Sequence, residues 1–226
     1  MSDGNMLKEP KTVPEVQLSP SRGARRSTPA RERILEIAQA AVLSKGFAAT
    51  SIEEVISEAG ITKSGFFYHF KDKTELAHEM LRRYIDENNA IFDDIFGRGR
   101  ELSDDPLQAY LIGLKLMAET MSQLPSSHPG CLIAAICYQE RLFDRDVRDL
   151  SGATVTAWNS RFLGHLEEIA AVHPLTVNVE LEDLARMLSC IIDGAIIMSR
   201  VLHEPRVLER QVLAYRAFVK AAFAPA

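Results

Sequence analysis

The chain has 226 residues, 46% of them hydrophobic and 25% charged, which suits an ordinary globular protein with a sizeable core in one large or two modest domains. No apolar run approaches the roughly 20 residues of a membrane-spanning helix, the N-terminus lacks the apolar core of a secretory signal, and the cysteines (131, 137, 190) are odd in number and scattered, so the expectation is a cytoplasmic protein with neither a membrane partner nor a disulfide framework. The net charge of −5 is uneven: residues 1–83 carry 13 Lys/Arg against 11 Asp/Glu, residues 84–226 carry 13 against 20, and a positive small end suits an anionic partner such as nucleic acid.

Residues 1–27 are rich in Pro, Ser and Gly, lack apolar periodicity, and read as a disordered basic arm. Arg22, Arg25 and Arg26 close it, either as a solvated tail or as an arm along a DNA backbone or minor groove. Thr28-Pro29 then predicts an N-cap and a first-turn proline, with Ile34, Ala38, Ala41 and Val42 on one face and Gly46 as the stop. Thr50-Ser51-Ile52-Glu53 predicts a capping box with Thr50 as the cap of a second helix, whose face is Ile52, Val55, Ile56 and Ala59. Gly60 is placed as a left-handed C-cap, and Thr62 caps a short third helix to about Phe70. Long helix, short helix, glycine turn, short helix is the outline of a helix-turn-helix over residues 28–73.

In the third helix, Phe66 and Phe70 share a face and should pack inward. Thr62, Lys63, Ser64, Tyr68 and His69 supply donors on the other sides, no acidic residue intervenes between Glu58 and Asp72, and small Ser64 and Gly65 permit close approach to a groove. These are the needs of a recognition helix: N-terminal residues near base edges, flanks near phosphates.

Residues 29–75, and above all TSIEEVISEAGITKSGFFYHFKDKTEL, resemble the DNA-binding domain of the TetR family of bacterial transcriptional regulators. The resemblance implies double-stranded operator DNA as a partner. It implies that Thr50 bonds a phosphate, that Thr62, Lys63, Ser64 and Gly65 face the major groove, and that Tyr68, His69 and Lys73 reach phosphates. Phe67 stands where the family usually has a tyrosine, and a phenyl ring can touch a thymine methyl but donates nothing.

The rest also reads as helices, about nine in all, with no β-rich run longer than four residues: an all-α chain whose residues 74–226 the resemblance implies are an effector-binding and dimerisation domain. A fourth helix opens at Asp72 or Lys73, carries Leu76, Met80, Tyr84, Ile91 and Ile95, and ends near Phe96, where GRGRELSDD reads as a break. Further helices are expected from Asp105-Pro106 to Leu124, Gly130 to Phe143, Asp144 to Val172, Glu180 to His203 and Pro205 to Phe223. The resemblance implies that the last two helices pair with their copies in a homodimer, and Leu188, Ile192, Ala195, Ile196, Val212, Tyr215 and Phe218 offer an apolar surface for it. It also implies a small-molecule effector among the middle helices. Met117, Met121, Cys131, Tyr138, Trp158, Phe162 and Met187 are candidate lining, being adaptable or aromatic. Asp193, amid IIDGAII, needs a partner: across a dimer, in Arg186 or Arg200, or in a ligand.

The expected function is a ligand-responsive regulator, a repressor released from its operator by a small molecule. One alternative is a redox or electrophile sensor through Cys131, whose position at a helix start would favour the thiolate. Another is a helical adaptor or scaffold without DNA specificity. Catalysis is not expected, and neither metal nor cofactor, since phosphate-loop, GxSxG, HExxH and CxxC patterns are all missing from the sequence.

Overall fold

The computed structural model describes residues 28–124 and 128–223, so the arm with Arg22, Arg25 and Arg26 lies outside the described residues. Among the described residues the architecture is all helical, with nine α-helices, one 3₁₀ turn and a single isolated bridge between Leu175 and Phe223. Helix α1 (Pro29–Lys45) starts where Thr28 accepts from the Arg31 N–H at 3.3 Å and stops at Gly46, whose φ is 89°. Helix α2 (Ile52–Ala59) ends on Gly60 in the left-handed conformation, φ 65°. Helix α3 (Lys63–His69) begins at Thr62, whose hydroxyl accepts from the Gly65 N–H at 3.0 Å.

Thr50 does not cap α2. Its hydroxyl donates to the Gly46 carbonyl at 2.9 Å and its N–H to the Phe47 carbonyl at 3.3 Å, so it folds back onto the turn after α1. The next hydroxyl, Ser51, accepts from the Glu54 N–H at 3.1 Å instead, shifting the cap by one residue.

Helix α4 (Lys73–Leu102) runs straight through the expected break at 97–102. Gly99 is buried where α4 crosses α5 (Pro106–Ser122), close to the backbone of Ala109 and Gly113. The glycine marks a close approach of two helices rather than an end. Along α4, Phe92 faces the core and Ile91 lies largely exposed, reversing the expected assignment by one position. The segment after the loop at 128–130 forms only α6 (Leu132–Tyr138) and the 3₁₀ turn Glu140–Leu142, shorter than expected. Helices α7 (Arg145–Ala170), α8 (Leu181–Val201) and α9 (Val207–Ala222) complete the body.

Two apolar cores result. One joins α1, α2 and α3 to the first half of α4, to α6 and to the start of α7, through Ile34, Phe66, Phe70, Leu81, Ile136 and Val147. The other joins the second half of α4 to α5, α7, α8 and α9, through Phe96, Leu114, Phe162, Leu188 and Val212. Cys131 and Trp158 pack against both cores, so the two meet at those side chains.

Candidate functional site

Helix α3 divides as its pattern predicts. Phe66 and Phe70 are fully buried, their centroids 5.7 Å apart, and the Arg31 guanidinium covers the Phe70 ring at 5.3 Å. Thr62, Lys63, Ser64 and Tyr68 are exposed on the opposite side, Tyr68 at 77%, while Gly65 and His69 are partly covered. Capping holds the N-terminal turn of α3: Thr62 also shares a hydrogen bond with Ser64 at 3.1 Å. Phe67 is 44% exposed with its ring edge-on to Phe66 at 5.4 Å, so it offers an apolar edge at the same surface. Lys63 lies 3.9 Å from Glu53, a pair so exposed that water and salt screen most of its attraction.

Two expected phosphate ligands are turned away from that surface. Thr50 is 2% exposed with its proton committed to Gly46. Lys73 donates to the Phe47 carbonyl at 2.6 Å and lies 4.2 Å over the Phe47 ring, and burial pulls its pKa below the ordinary lysine value. Both tie the α1–α2 turn to the head's interior. That turn also receives the body: Gln139, after α6, accepts from the Ala48 N–H at 3.2 Å.

Inside the body a narrow cavity of about 70 Å³ lies between α4, α6, α7 and α8. Of the expected lining, Met121, Cys131, Trp158, Phe162 and Asp193 face it. Tyr138 is 76% exposed because α6 ends there, Met117 is buried in the second core, and Met187 packs against that core from its edge. Tyr84, Phe92 and His128 line the cavity without having been expected, and the first two are recognisable in the sequence only once the phase of α4 is known. Trp158 donates to Asn89 at 2.9 Å, which orients its indole. Burial, then the charge of Asp193, pushes the Cys131 thiol up to about 11. The helix start does not prevail, because desolvation of the thiolate outweighs one short helix terminus. The site therefore favours the thiol over the thiolate at Cys131. Burial also raises the Tyr84 phenol and lowers His128, leaving both neutral near pH 7.

With this geometry in place, known proteins provide the comparison. A family model described as bacterial regulatory proteins, tetR family, matches residues 34–80. The chain is 26% identical over 103 residues to the HTH-type transcriptional repressor KstR2 of Rhodococcus jostii, a stretch covering 46% of this chain and 47% of that protein. It is 21% identical over 198 residues to the transcriptional regulator AcuR of Cereibacter sphaeroides, covering 86% and 89%. A TetR-family regulator from Agrobacterium tumefaciens shares the fold with a TM-score of 0.71 at 17% identity, over 86% of this chain and 98% of that one. Residues 34–80 match the TetR family's DNA-binding head, and over the rest of the chain the likeness is one of fold. The family model covers the head, where the motif residues lie, and the chain spans about half the length of the first of these relatives.

The structure corrects the expected dimer surface. Leu188, Ala195, Ile196, Val212 and Tyr215 are buried in their own chain's core, Tyr215 donating to the Leu184 carbonyl at 2.9 Å. Ile192 faces the cavity. Only Phe218 of that set is exposed, and it accompanies Ile197, Met198, Val201 and Leu202 on the outer faces of α8 and α9. Both sides of α8 are apolar, so its composition alone could not say which was core.

Proposed function

We propose that the chain is a homodimeric transcriptional repressor that α3 seats on operator DNA and that a small molecule in the body cavity releases. One observation carries the reading: a short capped helix, anchored from behind by two buried phenylalanines, turns Lys63, Ser64 and Tyr68 to solvent immediately after the Gly60 turn. Helices in this setting enter a major groove, and two of them read half-sites about 34–36 Å apart. Residues 28–73 act as the reading head and residues 74–226 as the effector and dimerisation body.

Ile197, Met198, Val201 and Leu202, at one-turn spacing, and Phe218 on α9 form the face a second copy covers, since exposed apolar surface of this kind marks association. Helix α6 connects effector and head. Cys131 and Ile133 at its start line the cavity, and Gln139 beyond its end holds the turn between α1 and α2. A ligand that displaces α6 therefore acts on the head's orientation, and affinity changes only by as much as the ligand prefers one arrangement.

Fluorescence anisotropy with DNA from the chain's own upstream region tests this, across a salt series. Lys63→Ala should weaken binding and narrow the preference for this DNA over unrelated sequence at every salt concentration. Tyr68→Phe should weaken binding with the fold unchanged by circular dichroism. Wild-type affinity in both variants would refute the assignment of α3.

A further inference from the structure

The cavity carries a chemical signature that narrows its occupant. Tyr84, Phe92, Trp158 and Phe162 form a run of edge-to-face rings: Tyr84 to Trp158 at 6.5 Å and 61°, Trp158 to Phe92 at 5.8 Å and 87°, Phe92 to Phe162 at 5.5 Å and 77°. Rings packed this way turn their faces in different directions, and an aromatic face is the negative end of the ring's quadrupole. Asp193 adds a carboxylate to the same lining.

Among the described residues no ion pair reaches that carboxylate. Arg186 is engaged by Asp183 at 3.2 Å. Arg200 donates to the carbonyls of Pro129 at 2.7 Å and Leu43 at 3.4 Å. His128 lies near enough to feel the Asp193 charge, but burial keeps its imidazole neutral. The two cationic side chains that sequence spacing offered to Asp193 are thus committed elsewhere. The Cys131 thiol hydrogen-bonds Asp193 but leaves its charge unneutralised, so the carboxylate repels an anion and gains nothing from a hydrocarbon, whereas a cation supplies the missing opposite charge.

We propose that the effector is a small organic cation with an apolar body, an ammonium or methylated ammonium seated on Asp193 with its ring or chain among Tyr84, Phe92, Trp158 and Phe162. This rests on the cavity being the effector site. The ring faces add cation–π attraction to the Coulomb attraction of the carboxylate. The volume of about 70 Å³ is smaller than the ~150 Å³ cavity that holds benzene, so even a single ring must part the lining, in keeping with a ligand that displaces α6.

The test uses the full chain and its sole tryptophan, Trp158, which reports from inside the cavity. Benzylammonium, benzyl alcohol and benzoate have one body and three charges, and each is titrated by tryptophan fluorescence with thermal shift as a second readout. Benzylammonium should bind at least about tenfold more tightly than benzyl alcohol, with benzoate weakest. Asp193→Asn should bring benzylammonium down to the level of benzyl alcohol while leaving benzyl alcohol unchanged. Equal or tighter binding of benzyl alcohol or benzoate to the wild-type chain would overturn the cationic class and leave the cavity as effector site intact. No response to any of the three would overturn both. The ranking on the wild-type chain decides the charge class even where Asp193→Asn folds poorly.

Discussion

A methyl group added at Gly99 should cost stability, while the same methyl two residues earlier should add it. A Cβ on Gly99 would fall well inside van der Waals distance of the Ala109 carbonyl oxygen, with the Ala109 carbonyl carbon and the Gly113 nitrogen each at 3.3 Å. These are backbone atoms of α5, so no side chain can rotate away and the helices must part. Overpacking of this kind costs about 1–3 kcal/mol, and a clash with backbone places it near the upper end. Replacing glycine by alanine inside a helix returns about 1 kcal/mol. Gly99→Ala should therefore lose about 2 kcal/mol, or about 4–8 °C in Tm for a chain of this size. A Cβ at Gly97 meets nothing within 4 Å, so Gly97→Ala keeps the helix gain and should raise Tm by about 2–4 °C. Both are read by calorimetry at one protein concentration, because association shifts apparent stability. A Gly99→Ala variant melting at or above the wild type would refute the close α4–α5 crossing.

Thr62→Ala removes the cap of α3 and should cost about 1 kcal/mol of local stability, seen as faster amide exchange in residues 63–69 and weaker operator binding. Slow exchange retained there would show that Phe66 and Phe70 alone hold the helix. His165 packs against both Phe96 and Tyr110, at 4.7 and 5.4 Å, and burial, then the neighbouring Arg100, pushes its pKa down to about 4 from 6.5. Between those values the unfolded chain binds a proton that the folded chain refuses, so this residue withdraws stability as pH falls from about 6.5 to about 4 and no further below that. Urea titrations of His165→Gln against the wild type should show a shallower loss in that window, and parallel curves would refute the assignment.

How much of the candidate site is visible in the sequence depends on how local each determinant is. The caps at Thr28 and Thr62, the stops at Gly46 and Gly60 and the inward pair Phe66 and Phe70 each depend on residues within one or two turns, and the structure agrees with all of them. Thr50 and Ser51 are both competent caps, and the turn back to Gly46 chooses between them. Lys73 has the spacing of a phosphate ligand, yet the Phe47 carbonyl 26 residues earlier takes its ammonium. Tyr138, Met117 and Met187 have cavity-lining chemistry and lie outside the cavity, because the end of α6 and the phase of α5 and α8 decide where they point.

The sequence by itself determined the helical class, the helix-turn-helix and the two faces of α3, since turn chemistry and a 3.6-residue period act over a few bonds. Only the tertiary structure decided that α4 continues through its glycines to meet α5, that one apolar side of α8 is core and the other an outer face, and that Asp193 looks into an aromatic cavity with Arg186 and Arg200 already engaged. Each of those depends on which distant surface arrives opposite a residue, and periodicity along one helix carries no record of its neighbour.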